Sequence, residues 1–177
     1  MRLLLGVSGG IAAYKACELT SLAMKAGFEV QVVMSQNATR FVGPMTFEGL
    51  TGRAVMLDTF APSGAMEHID LPKWCTVACL APATANSLAK LAHGLADDAL
   101  STTFLALRRG TPCVLAPAMN TEMWFNPATL RNLSWLREQE RYTLVEPVDK
   151  RLACGDVGVG GLAAPGDILE AIRALAD

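Results

Sequence analysis

Apolar runs of five to eight residues alternate along the chain with longer stretches in which apolar residues recur at helical spacing. Runs of this kind, without regular polar alternation, are typical of strands that are covered on both faces of a parallel sheet. They lie at 2–7, 29–35, 76–83, 112–118 and 142–148, with a weaker run at 54–58. We predict that these segments form one parallel sheet.

The intervals between the runs predict the helices. Helical spacing covers 11–26, 37–42, 44–50, 86–107, 127–139 and 167–175. Residues 59–73 contain prolines and a glycine without clear periodicity, so we expect a loop there. Strands that alternate with helices in this way predict an α/β fold, an open doubly wound parallel sheet with helices on both faces. No linker or repeat interrupts the pattern, so we expect a single domain over residues 1–177.

Composition narrows the classes of function. Hydrophobic residues make up 51% of the chain and charged residues 18%, which excludes intrinsic disorder. A net charge of −2 provides no basic surface for nucleic acid. The apolar excess indicates that surface is buried in a homo-oligomer, unless the many alanines and glycines account for it.

Cellular location and metal binding can also be addressed from the sequence. No apolar run approaches the roughly 20 residues that span a bilayer, and the first residues do not resemble an export signal. We therefore expect a cytoplasmic protein whose five cysteines are reduced. Cys75 and Cys79 are four residues apart but have no second pair at zinc-ligand spacing, so we expect no metal site.

Small, hydroxyl and amide side chains follow four of the predicted strands. They are Gly9 and Gly10, then Ser35, then 84–87, and finally 118–120. Because the carboxyl ends of parallel strands meet at one edge of a sheet, these residues predict a crevice for a planar ligand. The glycines allow a phosphate to approach the backbone, although their spacing is neither GxGxxG nor a Walker motif. Helix capping is the alternative interpretation of each turn taken alone.

Four motifs, in this order and at these spacings, carry a family resemblance: GVSGGIAAYK, PATANSLAKLAHGLADD, PAMNTEMW and ACGDVGVG. The chain resembles the homo-oligomeric flavin-containing cysteine decarboxylases from Arg2 to about Ile172. Within that family it is most similar to the members that act on phosphopantothenoylcysteine in coenzyme A biosynthesis. The resemblance implies a flavodoxin-like Rossmann fold, FMN as cofactor, and assembly into homotrimers or larger assemblies of trimers.

The resemblance also implies the site residues. The catalytic residues would be His68, Asn120 and Cys154. A mobile substrate-covering loop would span about 149–166, with hinge motion at its glycines (Gly155, Gly158, Gly160 and Gly161). FMN contacts would fall on Gly9, Gly10, Ile11, Ser35, Thr84, Ala85, Asn86, Ser87 and Ala118.

The implied activity is FMN-dependent decarboxylation of 4'-phosphopantothenoylcysteine to 4'-phosphopantetheine. The reaction would pass through transient oxidation to a thioaldehyde, loss of carbon dioxide and re-reduction. His68 would move a proton during the oxidation, and Asn120 would donate hydrogen bonds to the substrate carboxylate. Cys154 would protonate the enethiol that decarboxylation leaves.

Three other functions remain open. Gly161 and Ala164 stand where the family usually has arginine and glutamate. This difference favours an oxidative decarboxylase of C-terminal peptidyl-cysteine, whereas Cys154 argues against it. A flavin prenyltransferase shares the fold but not the set of His68 and PxMNxxMW. A non-catalytic flavin-binding regulatory subunit tends to have lost a catalytic residue or gained an acidic tail, and neither change is present here.

Overall fold

The central feature of the fold is a five-stranded parallel sheet. The computed structural model describes residues 1–60, 67–151 and 157–176. The strand order is β2-β1-β3-β4-β5, and every neighbouring pair is parallel. The strands are β1 (Arg2–Val7), β2 (Glu29–Met34), β3 (Val77–Ala83), β4 (Cys113–Pro117) and β5 (Tyr142–Leu144). This order is the flavodoxin-like one, so the predicted fold class is confirmed.

Helices cover both faces of the sheet. On one face α1 and α8 pack together, and they bury Leu19 and Ile168 against strand residues such as Leu5. On the other face Leu88 of α4 and Phe104 of α5 are buried with residues of the central strands. The helices are α1 (Lys15–Lys25), α2 (Pro44–Thr51), α3 (Glu67–Trp74), α4 (Ala85–His93), α5 (Ala99–Leu105), α6 (Thr121–Trp124), α7 (Pro127–Arg137) and α8 (Pro165–Ala176).

Local conformation differs from the sequence prediction in two helical regions. The predicted helix 86–107 is two helices, because Gly94 adopts φ +68° and ends α4. The predicted loop 59–73 contains α3, a helix that retains Pro72. Single 3₁₀ turns, Ile11–Tyr14 and Ala38–Arg40, precede α1 and α2. In the part of the chain that the structure describes, no helix is long and apolar enough to cross a bilayer.

The segment after α2 covers the outer edge of β2 instead of adding a full strand. We predicted a weak strand at 54–58, but only an isolated bridge forms, between Met56 and Val33. Met56 exchanges two backbone hydrogen bonds of 3.0 Å with the edge: its N–H donates to Val32, and its carbonyl accepts from Met34. At the opposite edge, β5 has three residues, and the prediction that it extends to residue 148 is wrong.

The glycine-rich segment predicted as a loop at about 149–166 contains regular structure. Strands β6 (Val148–Arg151) and β7 (Val157–Gly161) pair antiparallel and form a separate two-stranded sheet. At Met119 this hairpin is bonded to the turn after β4, where the Met119 N–H donates to the Gly160 carbonyl at 2.9 Å. The hairpin therefore meets the main sheet at the edge where the predicted site residues lie.

Candidate functional site

A cleft of about 450 Å³ opens at the carboxyl edge of the sheet. This volume is within the range of small-molecule sites. The cleft lies at the switch point of the strand order, where β1 and β3 are neighbours and their connections leave in opposite directions. It is lined by Gly9, Ser35, Gln36, Asn37, Thr84, Ala85, Asn86, Ser87, Lys90, Asp98, Ala118, Met119 and Met123.

The glycine turn after β1 allows the loops around the cleft to meet closely. A Cβ added to Gly9 would lie 2.5 Å from the Cβ of Asn37, so only glycine fits against the loop after β2. A Cβ on Gly10 would lie 3.4 Å from Cγ2 of Thr84, which is on the loop after β3. The glycines therefore bring three strand ends together around one cleft.

Three hydroxyl groups connect β1 to the start of α4. The Ser8 hydroxyl donates to the Pro82 carbonyl at 2.7 Å and accepts from the Thr84 N–H at 3.0 Å. Thr84 caps α4, and its Oγ1 accepts from the Ser87 N–H. The Thr84 and Ser87 oxygens are 3.2 Å apart. Thr84 and Ser87 therefore line the cleft, held by Ser8, which is buried behind them.

An ion-pair cluster closes one wall of the cleft. Lys90 Nζ lies 2.6 Å from a carboxylate oxygen of Asp97 and 2.6 Å from one of Asp98. Burial alone would lower the pKa of Lys90, but the hydrogen bonds with Asp97 and Asp98 outweigh it and raise that pKa. The lysine is therefore charged, and two carboxylates lie against this single charge. An anion in the cleft would therefore be bound by the hydroxyl, amide and backbone donors of the lining and not mainly by Lys90.

Asp98 also caps α5, because its Oδ1 accepts from the Ser101 N–H at 2.7 Å. Burial alone would raise the pKa of Asp98, but the bonds from Lys90 and Ser101 outweigh it and hold the pKa below its usual range. A lowered carboxyl pKa stabilises the fold above the unfolded-state pKa of about 3.9, and this stabilisation disappears as the pH falls through the folded-state pKa.

We therefore expect Asp98→Ala to lower the free energy of unfolding by about 2 kcal/mol at pH 7, because a helix cap and an ion pair are both lost. Asp98→Asn keeps a capping oxygen and should cost less. The difference between wild type and either variant should shrink below about pH 4. Urea unfolding at pH 7 and at pH 3 measures both effects. A difference that grew on acidification would contradict the assigned role.

Asn120 comes one residue after Met119, which lines the cleft. Its Oδ1 accepts from the Glu122 N–H at 2.8 Å and caps α6. The capping interpretation is thus realised in the structure. Capping uses the carbonyl oxygen of the side chain, whereas hydrogen bonds to a carboxylate would use the N–H₂ group.

His68 is in the first turn of α3, which packs against α5 and β1. It is not among the described residues that line the cleft. Its Nδ1 is buried, and within the described part of the chain it has no hydrogen-bond partner. Cys154, the third predicted catalytic residue, lies outside the described residues.

Most of the predicted cofactor residues are brought together. Of the nine, Gly10 and Ile11 are not among the described lining residues, and Ile11 is 62% exposed. Sequence reasoning did not assign Lys90, Asp98, Met119 or Met123 to the cofactor contacts of the cleft. The predicted cofactor residues that do line the cleft are Gly9, Ser35, Thr84, Ala85, Asn86, Ser87 and Ala118.

Comparison with curated proteins places the chain among known relatives. The Flavoprotein family profile matches residues 1–177. The coenzyme A biosynthesis bifunctional protein CoaBC of Bacillus subtilis (strain 168) is 48% identical over 169 residues, which are 94% of this chain and 41% of that protein. The chain thus spans about two fifths of the length of this relative.

Two solved structures extend the comparison over whole chains. One is a cysteine-to-serine variant of PPC decarboxylase complexed with pantothenoylaminoethenethiol. It is 35% identical, with a TM-score of 0.88 over 98% of this chain and 96% of that one. The other is the FMN-dependent cysteine decarboxylase SpaF, 36% identical, with a TM-score of 0.84 over 99% and 97% of the two chains. With a profile match over its full length and relatives of this similarity, the chain belongs to the Flavoprotein family.

Proposed function

We propose that this protein is an FMN-dependent phosphopantothenoylcysteine decarboxylase. The observation that carries the proposal is the similarity to PPC decarboxylase along nearly the entire length of both chains. The similarity to CoaBC supports a role in coenzyme A biosynthesis. We place the reaction in the cytoplasm.

The chemistry of the cleft fits FMN. Ser35, Thr84 and Ser87 provide hydroxyl groups, and the turn at Gly9 provides backbone close to the ligand, which together suit a phosphate and a ribityl chain. Met119 and Met123 provide polarisable apolar surface for a flat ring. Membership of the Flavoprotein family supports a flavin, and the similarity to SpaF supports FMN in particular.

The reaction balances without an external oxidant. The cysteine CH₂–SH group of the substrate loses two electrons and two protons and becomes a thioaldehyde. Loss of carbon dioxide then leaves an enethiolate, and return of two electrons and three protons gives the saturated thiol. A bound flavin supplies the sink and the source for both electrons. Overall, a proton replaces carbon dioxide.

The protein residues would bind the carboxylate and move protons. In this proposal Asn120 donates hydrogen bonds to the leaving carboxylate without a charge, so it does not hold the carboxylate as an ion pair. His68 takes a proton during oxidation, and Cys154 gives one to the carbon of the enethiol. The PPC decarboxylase neighbour is a cysteine-to-serine variant complexed with an enethiol, which supports a cysteine as the donor in this last step.

We further propose a homotrimer in which His68 serves the cleft of a neighbouring copy. The position of His68 away from the described lining of its own cleft supports this arrangement. So do the exposed apolar side chains that follow β1 and β2 in the sequence, namely Ile11, Tyr14, Phe41 and Met45.

The test is a product analysis with the purified protein. We expect a yellow protein that releases FMN on denaturation and converts 4'-phosphopantothenoylcysteine to 4'-phosphopantetheine, as measured by mass spectrometry. A peptide with a C-terminal cysteine serves as the parallel substrate. Conversion of the peptide alone would replace the proposal with a peptidyl-cysteine decarboxylase, which the presence of Gly161 favours. A protein that binds flavin but converts neither substrate would support a regulatory subunit.

A further inference from the structure

We propose that Gly158 and Gly160 are positioning residues for the reduction step. In this inference they dock the β6–β7 hairpin on the turn that carries Asn120, and they do not serve as hinges. The inference rests on the proposed function, because its readout is the ratio of the two products of that reaction. It assigns a role to glycines that sequence reasoning treated only as sources of flexibility.

Gly160 is in contact with the backbone of Met119. Besides the 2.9 Å bond from the Met119 N–H to its carbonyl, Gly160 adopts φ +147°, a conformation that strongly favours glycine. A Cβ at Gly160 would lie 2.2 Å from the Met119 carbonyl oxygen. Backbone cannot move aside as the end of a side chain can, so any side chain here would separate the hairpin from the turn.

Gly158 makes a second contact, with the side chain of Thr121. A Cβ at Gly158 would lie 2.7 Å from Oγ1 of Thr121 and 3.3 Å from its Cγ2. The Thr121 hydroxyl is buried, and within the described residues it has no hydrogen-bond partner. Close packing at Thr121 therefore adds to the hydrogen bond between Met119 and Gly160 in holding β7 against this turn.

These two contacts lie on either side of Asn120 in the sequence. Gly160 touches Met119 and Gly158 touches Thr121, so β7 is fixed in register along the residues that flank the proposed carboxylate-binding amide. A hinge would need freedom at these positions. The structure instead leaves no room for a Cβ atom between either glycine and the turn.

The register matters because Cys154 belongs to the connection between β6 and β7. It is three residues before Val157, and three residues of chain reach at most about 11 Å. The position of β7 thus limits how far the Cys154 thiol can reach. Protonation of the enethiol carbon by that thiol accompanies the return of two electrons to the same double bond, whereas carbon dioxide has already left. Displacing β7 should therefore slow the reduction more than the decarboxylation.

The test uses the flavin-loaded protein and 4'-phosphopantothenoylcysteine. We expect Gly158→Ala to raise the ratio of enethiol to 4'-phosphopantetheine by about tenfold or more, since a misplacement of about 1 Å can slow a step about 100-fold. Release of carbon dioxide in the first turnover should change much less. The ratio is measured by mass spectrometry, with flavin content and thermal midpoint recorded for each variant.

Two matched variants separate docking from general damage. Thr121→Ala leaves only the Thr121 Cβ, 3.5 Å from the new methyl group, so the double variant should recover the wild-type product ratio. Gly166→Ala makes the same chemical change nearby at an exposed position with nothing within 4 Å, and it should leave the ratio unchanged. If Gly158→Ala does not fold, Thr121→Leu enlarges the other side of the same contact and should raise the ratio.

A wild-type product ratio in folded Gly158→Ala would overturn the inference, and so would a raised ratio that Thr121→Ala does not correct. Failure of the wild-type protein to decarboxylate the substrate would instead overturn the proposed function. The two failures are therefore distinguishable in one series of measurements.

Discussion

Replacing His68 with asparagine is expected to lower the rate of carbon dioxide release by on the order of 1,000-fold, the typical contribution of a general acid–base residue. Asparagine is close to histidine in size and polarity but cannot take up a proton near neutral pH. The oxidation of the substrate thiol requires that protons leave with the electrons. Rapid-quench measurement of carbon dioxide release from the flavin-loaded protein tests this expectation.

His93 provides the matched control. It is exposed near the end of α4, and its Nδ1 lies 2.8 Å from the Ala89 carbonyl. His93→Asn should release carbon dioxide at the wild-type rate. If His68→Asn kept more than about a tenth of the wild-type rate, general acid–base catalysis by His68 would be ruled out.

Mixed oligomers extend the same experiment to the proposed assembly. If His68 of one copy serves the cleft of another, an inactive His68→Asn chain and an inactive Asn120→Ala chain can complete each other's sites. A complete site then needs an intact Asn120 from one copy and an intact His68 from its neighbour. Each is present in about half of randomly mixed chains, so about a quarter of the sites are restored. Activity that stayed at the level of the separate variants after co-refolding would place His68 and Asn120 in the same chain's site.

The second large effect concerns Cys154. Cys154→Ser should still release carbon dioxide, but at least about nine tenths of the product should remain enethiol, since a serine hydroxyl is a far weaker acid than a thiol. Mass spectrometry distinguishes the products by two mass units. Such a variant would separate the two halves of the proposed reaction.

The half-buried thiol of Cys17 serves as the control for Cys154. Cys17 lies on α1, where burial raises its pKa, and Cys17→Ser should yield only the saturated product. Cys75 is less suitable, because burial raises the pKa of its thiol to about 11 and serine there would disturb the core. If Cys154→Ser produced 4'-phosphopantetheine at the normal rate, the hypothesis that Cys154 is the proton donor would be wrong.

The position of the candidate site could be predicted from the sequence because local runs of apolar residues show where the strands end. Uninterrupted apolar runs identified β1, β3 and β4, and parallel strands bring the residues after them to one edge. Gly9, Thr84 and Ala118 could therefore be assigned to one cleft before any contact was known. Which residues reach the cleft depends on where each strand ends, and the pattern of hydrophobic residues predicts those ends well.

Other contacts were not predictable because they depend on where the chain turns. A continuous helix over 86–107 would separate Lys90 and Asp98 by about 12 Å along its axis. The left-handed Gly94 ends α4 and returns the chain, so that the two charged groups lie 2.6 Å apart. A glycine within a helical pattern is often tolerated, and its presence alone does not show that the helix ends there. Likewise, we predicted a loop at the position of α3 because proline is rare inside helices, although α3 contains Pro72 and carries His68.

The covered edge of β2 has a consequence for how copies of this chain associate. Met56 already occupies backbone groups of Val32 and Met34 on that edge, and β5 offers only three residues on the other. Neither edge strand of the five-stranded sheet therefore has the long row of unpaired backbone groups with which a strand of another molecule could pair. If copies associate, the main sheet therefore favours contacts through side chains of helices and loops over continuation of its strands, so that shape complementarity would limit the assembly.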